Sequence, residues 1–248
     1  MISLVKRTIV KLLKRKGYHL HASGYLTENF FELLLYEVLK RNNGLSFIQI
    51  GGNDGISFDP LYDFVRANHH QVKGIVVEPL NDYFKQLSFN YRNYPNITPI
   101  EIAVHKSEKE MTIYRVAPDK LSDYPAWAKG ISSFNKEKLI KSDKIDPGAI
   151  ISEKVPCISL GQLVRDHHLS SVDLLQIDTE GYDFEIVSAI DFSLIKPTLI
   201  HFEHGVSKGI MSRQNLARLR ELLHQNAYEL WLTEWDAVAY RSDSFVDL

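Results

Sequence analysis

Short apolar runs alternate along this chain with stretches of helical periodicity, and that alternation limits the possible folds more than any other feature. Leu45–Ile50 is a largely apolar run that ends in glycines, as expected of a strand covered on both faces of a sheet. Leu61–Ala67 then reads as a helix, Gly74–Glu78 as a second buried strand, Leu80–Tyr91 as a helix and Ile97–Val104 as a third strand. Strand, helix, strand, helix, strand calls for right-handed crossovers, a parallel sheet and helices on both faces. Upstream, Leu26–Leu39 reads as a further helix, with Phe30, Leu33, Leu34, Tyr36 and Val38 among its apolar residues.

The pattern then breaks and resumes. Met111–Val116 alternates and reads as an edge strand. Ala117–Gly148 is rich in Pro, Gly, Ser, Asp and Lys and reads as a long loop or lid; loops of that length in a folded domain tend to be functional. Ser159 is placed to cap a helix over Leu160–His168. Strand Val172–Ile177, helix Phe184–Ile190, strand Thr198–Phe202 and helix Arg213–Gln225 follow, and Tyr228–Thr233 with Val238–Arg241 closes as an antiparallel pair. The expected organisation is an N-terminal helical extension over residues 1–40 and one α/β domain over 41–248, with the central loop or lid around 117–148.

Composition narrows the partners. A formal net charge of -2 lacks the domain-wide basic excess of nucleic-acid binders, so no nucleic acid is expected. Cys157 is the only cysteine, which excludes an internal disulfide and favours a reducing, cytoplasmic setting; in its apolar run it reads as a core residue. The N-terminus is the anomaly. Lys6, Arg7, Lys11, Lys14, Arg15 and Lys16 precede the first acid, Glu28, and Ile2, Val5, Ile9 and Leu12 recur at helical spacing. Such a helix either packs with its lysines in water or lies peripherally on an anionic inner membrane surface; a glycosyltransferase contact is a further option. Flotation with liposomes of the full chain against one lacking Met1–Lys16 separates these, and equal flotation removes the lipid option.

Chemistry is concentrated after the strands. Gly51-Gly52-Asn53-Asp54-Gly55 follows the first strand, where glycines permit a tight turn and close approach to a ligand. The spacing is not that of the dinucleotide fingerprint. Glu78 ends the second strand, placed to accept hydrogen bonds from ribose hydroxyls, although a strand-end carboxylate can also cap the next helix. Asp178 and Glu180 follow a later strand, and Glu203 and His204 the one after. Ligands in open α/β sheets bind outside that edge, so these four converge if their strands are neighbours. A carboxylate or imidazole there can remove a proton, and paired carboxylates such as Asp178 and Glu203 can hold a hard divalent cation such as Mg. His201, inside its strand, reads as a core histidine.

The segments Phe47–Gly55, Val76–Pro79, Ile177–Asp183 and Phe202–His204 together resemble the FkbM family of methyltransferases. The resemblance implies a Rossmann-like class I methyltransferase fold and methyl transfer from S-adenosylmethionine to a hydroxyl of a sugar, glycan or secondary metabolite. It places Gly51, Asn53, Asp54 and Gly55 at the methionine and ribose end of the cofactor and Glu78 on the ribose hydroxyls. Glu101 and Ala103 would border the adenine, and Ser132 and Ser133 would be the pair that folds over the cofactor. Gln49 departs from the pattern: similar methyltransferases carry an acid there, near the cofactor's ammonium. His204 is the first candidate base and Glu180 the second, with Asp178 orienting the base, contacting the cofactor or binding a cation. Trp127, Lys129 and Tyr124 are candidate acceptor contacts. The alternatives are an NAD(P)-dependent oxidoreductase, which the absent fingerprint disfavours, and a non-catalytic nucleoside-binding module.

Overall fold

The computed structural model describes residues 30–141, 143–169 and 171–245. The basic N-terminal segment, and the part of the expected first helix before Phe30, lie outside the described residues. The chain divides into two units between Gly44 and Leu45 rather than at residue 40. In the first, helix α1 (Phe30–Asn42) buries Phe31, Leu34, Leu35, Val38 and Leu39, a helical stripe. Glu32 in its first turn and Lys40 and Arg41 in its last complement the helix dipole.

In the second unit the strands are, in chain order, β1 (Leu45–Ile50), β2 (Val72–Val77), β3 (Ile97–Ile100), β4 (Ala103–Val104), β5 (Glu110–Val116), β6 (Ser132–Ser133), β7 (Ile150–Ile158), β8 (Leu174–Ile177), β9 (Leu199–Glu203), β10 (Tyr228–Leu232) and β11 (Asp236–Arg241). The helices are α2 (Tyr62–Asn68), α3 (Asn81–Tyr91), α4 (Lys136–Lys141), α5 (Leu160–Asp166), α6 (Asp183–Ser188) and α7 (Arg213–Gln225). The main sheet has the order β10-β11-β9-β8-β1-β2-β3, and a smaller sheet the order β4-β7-β5-β6.

β1 is buried at every position because it pairs in parallel with β2 on one side and β8 on the other. The chain runs outward through β2 and β3, passes through the smaller sheet, and returns on the far side of β1. That reversal of direction opens a crevice at the carboxyl ends of β1 and β8. One face of the sheet presents Ile48, Ile50, Ile75, Val77, Leu175, Ile177, Ile200 and Phe202 to a core that includes Leu163 of α5, Val187 of α6 and Leu223 of α7. Fully burying each such side chain contributes about 1.5–3 kcal/mol. The Ser159 side chain accepts from the Gln162 N–H and caps α5 as expected, and Ser212 does the same for α7. Each cap contributes about 1 kcal/mol. Among the described residues no helix is long and apolar enough to cross a membrane.

Three expectations need correction. Ile97–Val104 is not one strand: Ile97–Ile100 pairs with β2, whereas Ala103–Val104 leaves the main sheet to pair with Cys157 and Ile158 of β7. Met111–Val116 belongs to an interior strand, with β7 on one side and β6 on the other. The segment 117–148 is not an open loop. It contains short helical turns, β6 and α4, and Ala128, Ile131, Leu139 and Ile145 bury against Val116 and Ala149. The terminal antiparallel pair is present, with β11 inserted between β9 and β10.

Gly74 of β2 lies beneath Phe47 of β1, and a Cβ there would stand 2.4 Å from the phenyl ring. Gly74→Ala is therefore expected to cost about 1–3 kcal/mol, an overpacking penalty, read as a lower urea midpoint at unchanged slope. Adding Phe47→Leu should recover part of the loss; a single variant as stable as the wild type would show that the contact is not tight.

Candidate active site

The crevice at the switch point holds a cavity of about 280 Å³, whose lining includes Gly51, Asn53, Glu78, Ala103, Ser132, Ser133, Asp178 and Glu180. Each strand end contributes in turn. After β1, Gly51 takes φ +88°, and a Cβ on it would fall 1.7 Å from the Asp178 carbonyl oxygen. Only glycine lets β1 and β8 release their loops this close together.

After β2, Glu78 is 5% exposed and accepts from the Asn53 N–H at 2.8 Å and the Leu80 N–H at 2.9 Å. Burial pushes its carboxyl up to about 7, against those two hydrogen bonds. Each oxygen keeps a lone pair for a ligand hydroxyl.

After β8, Asp178 and Glu180 enter the same cavity. Burial first, and then the charges of Glu180, Asp183 and Glu203, raise the Asp178 carboxyl well above its ordinary value. Glu180 sits at φ +54°, a strained conformation for a residue with a side chain. Its Oε2 accepts from Lys138 Nζ of α4 at 2.8 Å. Asp183, fully buried, ties two strand ends together. It accepts from the Thr179 hydroxyl at 2.6 Å and from the Glu203 N–H at 3.1 Å.

Other expected site residues lie elsewhere. Asp54 and Gly55 do not line the cavity. Asp54 accepts from the Ile56 and Ser57 N–H groups and from Lys129 Nζ at 2.5 Å. Burial opposes its ionisation, but these partners hold the carboxyl down at about 2. Gly55 faces Leu87 and Tyr91 of α3. Glu101 is exposed and accepts from the Asn81 side chain at 2.7 Å; Ile102 lines the cavity in its stead.

Glu203 and His204 also stand outside the lining. The Val206 N–H donates to His204 Nδ1 at 3.2 Å, which leaves the proton on Nε2, 3.3 Å from the Thr233 carbonyl oxygen. Both ring nitrogens are thus engaged in holding the loop after β9 to the β10–β11 turn. Burial, then the charges of Glu180 and Asp183, push Glu203 up to about 8. Among the described residues no group of three or more His, Cys, Asp or Glu side chains is arranged to hold a metal ion, so the expectation of a cation on Asp178 and Glu203 is not supported.

Of the acceptor candidates, Trp127 lines the cavity at 43% exposure. Lys129 is committed to Asp54, and the Tyr124 hydroxyl accepts from the Asp146 N–H at 3.1 Å, anchoring its own segment. Phe58, Asp59 and Lys138 are among the residues at the crevice that the sequence did not single out. Phe58 is 64% exposed and, like Trp127, lines the cavity. Asp59 lines it too, and Lys138 reaches it through Glu180. Asp59, in Phe-Asp-Pro before a helix, signals only a turn; nothing in the sequence marks Lys138.

The chain matches the description "Methyltransferase FkbM domain" over residues 49–230 and belongs to that family. The assignment displaces the oxidoreductase alternative. No curated protein sequence matches. Solved structures with a similar chain path include a precorrin-6y C5,15-methyltransferase from Geobacter metallireducens GS-15, 14% identical, covering 90% of this chain and 94% of that one with a TM-score of 0.40. A human methyltransferase 10 domain containing protein is 11% identical over 96% of this chain and 95% of its own, with a TM-score of 0.44.

Glu78 and Glu203 both titrate higher in the folded chain than their ordinary value of 4.5. The folded state therefore binds more protons, and their contribution to stability is full below 4.5 and lost as pH rises through about 7 and about 8. The ligand-free protein should have a lower urea midpoint at about pH 8.5 than at about pH 5.5, and Glu203→Gln should flatten that dependence. A midpoint that rises over this interval in the wild type, or an equally steep fall in the variant, would contradict the burial of Glu203.

Proposed function

We propose that this protein transfers a methyl group from S-adenosylmethionine to a hydroxyl oxygen of a sugar, glycan or secondary metabolite. One observation carries the reading: a single cavity joins the glycine turn and Glu78 to Asp178 and Glu180. When bound, S-adenosylmethionine supplies an electrophilic methyl group on a sulfonium. Glu78 would hold the ribose hydroxyls, Ile102 and Ala103 would border the adenine, and Ser132 and Ser133 would close the wall beside it. Gly51 leaves room for the amino-acid end.

Asp178 would take the acceptor's proton. Burial, then the charges of the neighbouring carboxylates, raise its proton affinity above that of an ordinary aspartate, the direction a general base requires. Glu180, fixed by Lys138, would receive and orient the acceptor, and correct placement itself supplies much of the acceleration. His204 does not fill the base role, because both ring nitrogens already have backbone partners. Phe58 and Trp127 offer exposed rings to the apolar faces of a sugar.

The test is a screen of glycans and hydroxylated metabolites with methyl-labelled cofactor. Label should appear in an alkali-stable ether, and Asp178→Asn and Glu180→Gln should each lower kcat by about 100-fold or more. Wild-type rates in both variants would remove these roles, and label on nitrogen or carbon would overturn the hydroxyl acceptor. Glu78→Gln should weaken binding of S-adenosylhomocysteine by roughly 10-fold, the scale of a lost charge-assisted hydrogen bond.

A further inference from the structure

Three hydrogen-bond acceptors in the cavity lining have no donor among the described residues. Gln49 Oε1, Asn53 Oδ1 and Asp59 Oδ2 are buried and have no hydrogen-bond partner, and all three residues line the cavity. Gln49 is only 2% exposed, and its amide stands beside the Asp59 carboxylate. The other Asp59 oxygen, Oδ1, accepts from the Leu61 N–H at 2.8 Å at the start of α2. That bond fixes the carboxylate in place and leaves Oδ2 unused.

Three orphan acceptors, one of them on a carboxylate, specify their ligand chemically. A buried polar atom without a partner costs free energy, and a buried charge without a counter-charge costs more. The two carboxylates nearest in the loop differ in this respect. Asp54 has Lys129, whereas among the described residues no cation pairs with Asp59. A ligand that brings a cation with several N–H donors resolves all three deficits together. An ammonium carries three.

We infer that Gln49, Asn53 and Asp59 form the subsite for the ammonium of the cofactor's amino-acid moiety, with the Asp59 carboxylate as its counter-charge. The inference rests on the S-adenosylmethionine reading of the cavity. It also accounts for the amide at position 49: the negative charge enters from the loop before α2 instead of from β1, and Gln49 supplies a neutral acceptor next to it. Were Asp59 only a brace for the turn before α2, through the Leu61 N–H, its charge would have no function, and asparagine would serve equally well.

Asp59→Asn keeps Oδ1 for the Leu61 N–H and removes the charge, so it separates the two roles. Calorimetric titration of wild type and variant should use S-adenosylhomocysteine and 5′-methylthioadenosine, which shares the adenosine and thioether but lacks the amino acid. The variant should lose on the order of 10- to 100-fold in affinity for S-adenosylhomocysteine, the range for a charge-assisted contact, and keep its affinity for methylthioadenosine within about 2-fold. Retained methylthioadenosine binding also shows that the variant is folded. Moving the charge with Gln49→Glu in the Asp59→Asn background should restore part of the loss. Unchanged binding of both ligands, or an equal loss for both, would overturn the subsite while leaving the cofactor reading standing. A wild-type protein that binds neither ligand would overturn both.

Discussion

The close approach of β1 and β8 governs this structure. The Asp178 N–H donates to the Ile50 carbonyl at 2.9 Å, and the Gly51 N–H donates to the Val77 carbonyl at 3.0 Å. Three strands therefore release their chains within a few ångströms, and the turn after β1 has no space for a side chain at Gly51. Each neighbouring strand delivers one acidic group beside that turn, Glu78 from β2 and Asp178 from β8. The cavity exists because parallel strands that diverge to opposite sides of β1 cannot cover their own carboxyl ends.

What covers those ends instead is the smaller sheet with the segment between β5 and β7. Its attachment combines a buried apolar cluster, in which Leu80 and Tyr83 pack with Ala103, Ile113, Val155 and Cys157, with ion pairs. Arg115 of β5, 2% exposed, makes a bidentate pair with Asp82 at 2.6 and 2.8 Å and lies 4.5 Å from the Tyr83 ring centroid. This joins the smaller sheet to the start of α3, directly after Glu78. Lys129 reaches Asp54 behind the glycine turn, and Lys138 reaches Glu180 after β8. The wall of the cavity thus meets both sides of the crevice through a lysine. Such pairs contribute less to stability than to geometry, since desolvation offsets much of their attraction.

The strand ends in and around the crevice are rich in carboxylates, and their titration reflects it. Glu78, Asp178, Asp183, Glu203 and Asp236 are all raised, each chiefly by burial. Asp54 moves the other way because Lys129 and two backbone N–H groups meet it. The contrast between Asp54, which has Lys129, and Asp59, which has no cation among the described residues, is the electrostatic asymmetry that a positively charged ligand would complete.

Much of this was legible from residue order alone. β1 and α7 have the limits that their periodicity sets, and the glycine turn, Glu78 and Asp178 emerge at strand ends as the alternation requires. Burial of short apolar runs and helical stripes is a local property, so it can be read in one dimension. Partner choice cannot. Ile97–Val104 divides between two sheets because Ala103 pairs with Cys157, far along the chain, and β7 itself, Ile-Ile-Ser-Glu-Lys-Val-Pro-Cys-Ile, shows too little apolar alternation to announce a strand. His204 follows a strand as a base might, yet the insertion of β11 brings Thr233 to its ring and occupies it. The sequence determined which residues leave the strands; the tertiary structure decided which of them keep a free valence, because hydrogen bonds and ion pairs form between neighbours in space.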